Sequence, residues 1–228
     1  MSESSTPAIW SAVDTYLCDT LLGHDATLQA ALDRSAAAGL PPIHVAPNQG
    51  ALLMLLAQSV GSQRILELGT LGGYSTIWLA RALPPHGRVI TVEIDEKHAK
   101  VARENIAAAG MSMRVDVRHA SCHAVLDELQ GERVPPFDLT FIDADKQSAP
   151  EYFRKALALS RQGSLIIVDN VVRDGDVGNA TSTDARTLGV RECLAMMGRE
   201  PRVQATAIQT VGSKGYDGFA IARVVTPA

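Results

Sequence analysis

Ile65-Leu66-Glu67-Leu68-Gly69-Thr70-Leu71-Gly72-Gly73-Tyr74-Ser75 reads as a strand, a glycine-rich turn and the first residues of a helix. Glycine lets the backbone turn sharply and lets a ligand approach it closely, and the carboxyl end of a strand is where open α/β sheets bind ligands. Outward from this turn the chain alternates short β-branched runs with helix-length segments. Strands are expected at Arg64 to Leu68, Arg88 to Glu93, Met113 to Arg118, Phe137 to Asp143 and Ser164 to Asp169. Continuous apolar runs such as Leu165-Ile166-Ile167-Val168 belong in a doubly wound, mostly parallel sheet whose two faces are both covered by helices. Arg202 to Thr210 and Phe219 to Val225 are joined by Val211 to Gly218, too short for a crossover helix, so they are expected to form a C-terminal antiparallel hairpin with that stretch as its loop. Upstream, residues 8–22 and 25–38 predict two helices, the first amphipathic through Ile9, Val13, Tyr16 and Leu17. Residues 1–42 therefore read as a helical appendage to one globular unit over 43–228, in which Asn48 is expected to cap a helix running to about Val60.

Composition narrows the function. The 228 residues carry 21 Lys and Arg against 25 Asp and Glu, a net charge of −4 that offers no basic field to a nucleic acid. Aromatic residues are 4%, too few for base-stacking platforms. The apolar run Ala51 to Ala57 is far shorter than a membrane helix needs, and Met1 to Pro7 lacks the basic and apolar regions of a secretion signal. Cys18, Cys122 and Cys193 form no Cys-x-x-Cys pair, as expected of thiols in the cytosol.

The turn chooses among nucleoside ligands. A dinucleotide fingerprint needs Gly-x-Gly-x-x-Gly, whereas here Gly69-x-x-Gly72-Gly73 follows Glu67. A carboxylate beside the turn repels a pyrophosphate and suits the ammonium of an amino acid. Glu93, ending the second strand, stands where a carboxylate accepts ribose hydroxyls. Further on, Phe141-Ile142-Asp143-Ala144-Asp145-Lys146 and Ile167-Val168-Asp169-Asn170 each end a strand in acid. If those strands are parallel neighbours, Asp143, Asp169 and the Asn170 amide oxygen converge as an oxygen donor set suited to Mg²⁺.

Glu67-x-Gly69-x-x-x-Gly73-Tyr74-Ser75, Phe141 to Lys146 and Val168-Asp169-Asn170 together resemble the cation-dependent O-methyltransferases of the catechol and caffeoyl-CoA type, bacterial branch, over about Ile43 to Val225. The resemblance implies a Rossmann-like methyltransferase fold and transfer of a methyl group from S-adenosylmethionine to a small vicinal-diol phenol. It implies that Glu67 holds the methionine ammonium, Ser75 its carboxylate and Glu93 the ribose, with Ala120 and Ser121 beside adenine. Val45, Gly69, Leu71, Tyr74, Ile94 and Asp143 complete the cofactor contacts. Asp143, Asp169 and Asn170 match the metal ligands, Lys146 matches the catalytic base, and a homodimer is expected. The sequence departs from the plant enzymes in carrying Val172-Arg173 where Leu-Trp often follows Asp-Asn. Two other readings compete: an NAD-type dehydrogenase on a similar fold, and a non-catalytic small-molecule sensor. His119 and His123, four apart, offer a weaker metal reading, with zinc.

Overall fold

The computed structural model describes residues 6–226; Met1 to Ser5, part of the stretch read for a secretion signal, lie outside the described residues. Strands β1 (Arg64–Leu68), β2 (Arg88–Glu93), β3 (Val115–His119), β4 (Phe137–Ile142), β5 (Ser160–Asp169), β6 (Val203–Gly212) and β7 (Gly215–Val224) form one sheet in the order β3-β2-β1-β4-β5-β7-β6. Pairing is parallel from β3 to β5, and β7 is antiparallel to both β5 and β6. This is the doubly wound, mostly parallel arrangement that the sequence predicts. The strand order reverses between β1 and β4, which opens a crevice at their carboxyl ends.

The strands alternate their side chains between two cores. Leu66, Leu68, Ile90, Val92, Ile142, Ile166 and Val168 face α6 (Cys122–Gly131), α7 (Ala149–Ala158) and α8 (Ala185–Arg199). Ile65, Val89, Leu139, Phe141, Leu165 and Ile167 face α3 (Pro47–Ser59), α4 (Tyr74–Ala82) and α5 (Glu96–Ala108). On that second face α2 (Ala26–Ala37) contributes Leu28 and Ala31 to the core, and its Asp25 caps the helix while pairing with Arg81 of α4.

Three local expectations are corrected. The strand expected from Met113 starts at Val115, because a turn carrying Arg114 N–H to Met111 O precedes it and leaves Met113 exposed. Helix α3 is capped by Ala46 with Pro47 as its first residue, since proline's fixed φ suits that position; Asn48 sits one residue inside and donates to Asp14. The glycine-rich stretch expected as the hairpin loop is mostly strand: Val211 pairs with Tyr216 and Gly212 with Gly215, leaving Ser213-Lys214 as a two-residue turn. In α1 (Thr6–Leu21) the apolar stripe faces solvent, with Ile9, Val13, Tyr16 and Leu17 exposed, and the buried residue is Asp14. Its carboxylate accepts from the Asn48 side chain at 3.0 Å and from the Ser213 N–H at 2.7 Å, tying α1 to α3 and to the hairpin tip.

Candidate active site

The glycine turn is packed backbone to backbone against the end of β4. Gly69 has φ +99°, and a Cβ there would lie 2.2 Å from the Asp143 carbonyl oxygen, so only glycine fits. The Asp143 N–H donates to Leu68 O at 2.8 Å, which fixes the crevice floor. Leu71 takes a left-handed conformation at φ 49°, and its N–H donates to Glu93 Oε2 at 2.7 Å. Glu93 also accepts the Asp95 N–H at 2.9 Å, so the carboxylate expected at the ribose organises the turn beneath it as well. Ile94, next along, is exposed.

Behind the turn, Glu67 is fully buried. Ser75, Thr76 and Thr91 each donate a hydroxyl to it, at 2.6, 2.5 and 2.7 Å. Burial pushes its carboxyl up to about 7, and the charge of Asp143 adds to the shift. Ser75, expected at the cofactor carboxylate, thus directs its proton to Glu67. Tyr74 opens α4, is buried and lies 5.2 Å from the His44 ring, and Val45 is buried in the same core.

On the other flank, the Ala120 N–H donates to Glu93 O, and the Ser121 hydroxyl caps α6 by accepting the Ala124 N–H. Cys122 is buried, and burial pushes its thiol up to about 12. The Tyr152 hydroxyl donates to Asp145 Oδ1 at 2.5 Å, fixing the turn between Asp143 and Lys146. Gly189 of α8 packs against the backbone of that turn, where a Cβ would stand 2.4 Å from Lys146 O.

Register brings the acidic strand ends together. Ile142 pairs with Val168, so Asp143 and Asp169 leave neighbouring strands side by side. Lys146 is buried, and its Nζ donates to Asp143 Oδ1 at 2.7 Å. Burial pushes Asp169 up to about 7, reinforced by the charge of Asp143. Asn170 follows in a left-handed conformation at φ 55°. Two close carboxylates, one of them costly to ionise without a cation, beside an amide oxygen make a donor set that fits a hard divalent ion. Among the described residues no group of three His, Cys, Asp or Glu converges, so His119 and His123 do not build a zinc site; His123 lies 3.4 Å from Glu151 instead.

Sequence reading missed one positioning residue. Asp217 Oδ1 accepts the N–H groups of Val172, Arg173 and Gly218, each at 3.0 Å, and pins the segment after Asn170 to β7. It comes from an element distant in sequence, and no spacing announces it. Cavities of about 410 and 340 Å³ lie at the opposite, amino-terminal edge of the parallel strands, near Phe137's neighbour Pro136 and near Gly163.

Comparison with known proteins agrees with this geometry. Residues 23–224 match the family model described as O-methyltransferase. The chain is 51% identical over 216 residues to the catechol O-methyltransferase of Niastella koreensis, covering 95% of this chain and 98% of that one. It is 51% identical to the catechol O-methyltransferase of Mycobacterium tuberculosis, covering 93% and 94%. The crystal structure of an O-methyltransferase from Bacillus cereus in complex with SAH superposes with a TM-score of 0.94 at 53% identity, covering 95% and 99% of the two chains. With a methyltransferase sheet, a glycine turn backed by Glu67 and Glu93, and a family match along nearly its whole length, the chain belongs to the family of S-adenosylmethionine-dependent O-methyltransferases.

Proposed function

We propose that this enzyme transfers the methyl group of S-adenosylmethionine to one hydroxyl of a small vicinal dihydroxybenzene and requires a divalent cation. The observation that carries this reading is the adjacency of Asp143, Lys146, Asp169 and Asn170 at the carboxyl ends of β4 and β5, next to the Gly69 turn. The catechol O-methyltransferase names of two relatives support the acceptor class.

The cofactor lies over the Gly69 to Gly73 turn in this reading, with its ribose on Glu93 and its adenine beside Ala120 and Ser121. Leu71, Tyr74, Val45 and Ile94 border it, and Glu67, Ser75 and Asp143 face its amino-acid end. Asp143, Asp169 and Asn170 would hold the cation, Mg²⁺ by its preference for oxygen donors, which when bound supplies Lewis acidity that favours ionisation of a phenol. Lys146 takes the phenol proton at Nζ, and an oxygen–carbon bond forms as the carbon–sulfur bond of the sulfonium breaks. Asp217 keeps the segment after Asn170 in place while oxygen, carbon and sulfur align. The solvent-facing stripe Ile9, Val13, Tyr16, Leu17 and Leu21 on α1 supports a homodimer, with residues 1–42 as the appendage that carries it. No helix among the described residues is long and apolar enough to cross a membrane, and the cytosol remains the proposed location.

The test is methyl transfer to catechol with saturating S-adenosylmethionine, followed by mass spectrometry. Chelation abolishes product and Mg²⁺ restores it in the wild type, whereas Asp169→Ala is not rescued. Full turnover in the chelated enzyme would overturn the cation requirement. Binding of NAD in place of S-adenosylmethionine would favour the dehydrogenase, and cofactor binding without any product would favour a sensor.

A further inference from the structure

Asn105 of α5 is a polar side chain only 1% exposed, and it takes no part in the chemistry proposed above. Its amide joins three elements. Nδ2 donates to the Gly72 carbonyl at 2.8 Å and to Ala31 O at 3.1 Å, with Ser35 Oγ at 3.2 Å, while Oδ1 accepts from the Arg34 guanidinium. A donor on one side and acceptors on the other fix which way the amide points. One side chain thus ties the glycine turn to α5 and to α2, a helix that the sequence reads as part of an appendage.

The bond falls where the turn is weakest. Gly72 and Gly73 share a peptide with no Cβ on either side, the unit of the turn that rotates most easily. The residues before it are held independently: the Gly69 N–H donates to Val92 O at 3.0 Å and the Leu71 N–H to Glu93 Oε2 at 2.7 Å. The Gly73 N–H donates to Thr70 O at 2.8 Å, so this peptide is fixed at its N–H by the turn itself and at its carbonyl by Asn105. Packing agrees with the hydrogen bonds. A Cβ on Gly72 would lie 2.3 Å from Ser35 Oγ, and one on Gly73 would lie 3.4 Å from the Ala102 Cβ, so the turn rests directly on α2 and α5.

We propose that Asn105 is a positioning residue for S-adenosylmethionine: through the Gly72 carbonyl it holds the glycine turn in the shape that receives the cofactor, and it makes α2 a working part of that site. This rests on the reading above in which the cofactor lies over the Gly69 to Gly73 turn. Without the amide, the Gly72–Gly73 peptide samples more conformations in the cofactor-free enzyme and must be ordered again on binding, which appears as lost affinity. None of the four partners of Asn105 belongs to the group of Asp143, Lys146, Asp169 and Asn170, so the transfer step itself is spared.

The experiment measures the Kd of S-adenosylmethionine by calorimetry, and its KM together with kcat at saturating catechol and Mg²⁺, in wild type, Asn105→Ala, Ser35→Val and Glu93→Ala. Thermal unfolding of each variant reports folding. Asn105→Ala is expected to raise Kd and KM by about 10-fold while kcat changes by less than about twofold, the order of effect that one lost hydrogen bond to a buried carbonyl supplies. Ser35→Val approaches the same contact from α2, where its added bulk wedges the helix off Gly72, and Kd is expected to rise again. A wild-type Kd in folded Asn105→Ala would overturn the proposal; if that variant does not fold, a wild-type Kd in Ser35→Val would do so. A fall in kcat that follows the folded fraction, with Kd unchanged, would equally overturn it by showing a purely structural role. Glu93→Ala separates the proposal from the reading beneath it: wild-type affinity in that variant would remove the cofactor from the turn, and the role of Asn105 with it.

Discussion

Glu67 is a carboxylate enclosed by three hydroxyls, and its ionisation is coupled to the stability of the cofactor-free fold. Its folded pKa of about 7 lies above the ordinary 4.5, so between those values the folded protein binds more protons than the unfolded chain. Stability therefore falls as pH rises from about 4.5 to 7 and is level above, by up to roughly 3 kcal/mol for this one group. Glu67→Gln keeps the shape and removes the titration, so its urea midpoint should vary less between pH 5 and pH 8 than that of the wild type. An identical slope in the two proteins would place the charge elsewhere. At this scale much of the site was legible, because Glu67, Glu93, Asp143, Asp169 and Asn170 belong to short motifs whose spacing is local. Asp217 was not, because it acts across strand packing that no local spacing encodes. Ser75 was legible as a helix-start residue, but its bond to Glu67 depends on how α4 sits against β1.

Among the elements, the segment from Asn170 to Gly178 depends most on a distant partner. Asp217 of β7 satisfies two of its N–H groups while the chain passes through left-handed conformations. Asp217→Ala leaves those donors to find water and should cost roughly 1–3 kcal/mol. Amide exchange is expected to accelerate over Val171 to Gly175 and to remain slow in β1 and β4, whose pairing is untouched; uniform acceleration would show a global effect instead. The central parallel strands β2, β1, β4 and β5 were readable by their apolar runs, whereas β3, an alternating Val-Asp-Val-Arg-His, was expected two residues too early. The hairpin was readable in existence and not in extent. Its glycines, Gly212, Gly215 and Gly218, look like loop residues by composition, yet they pair through their backbones in β6 and β7. Likewise the stripe on α1 was legible as an apolar face, but periodicity does not say whether such a face meets the core or solvent.

The whole molecule is two apolar cores on one sheet, with Glu67, Glu93, Asp143 and Asp169 at the carboxyl ends of its parallel strands. Cofactor binding should stabilise it by mass action, by about 2.7 kcal/mol at a hundredfold excess over Kd. For a chain of this length that is roughly 5–10 °C in Tm. Glu93→Ala should lose most of this shift, and a full shift in the variant would remove Glu93 from the cofactor site.

The central claim is that the sheet edge places Lys146 to take a proton from the acceptor hydroxyl. Lys146→Met keeps the buried apolar stem and removes the amine. The most direct measurement is the single-turnover rate of methyl transfer to catechol with saturating S-adenosylmethionine and Mg²⁺, in wild type and Lys146→Met. A loss of about 10²- to 10⁴-fold with cofactor affinity preserved is the predicted result, the usual contribution of a positioned general base. A rate close to that of the wild type would contradict the account and leave Lys146 as a counter-charge to Asp143.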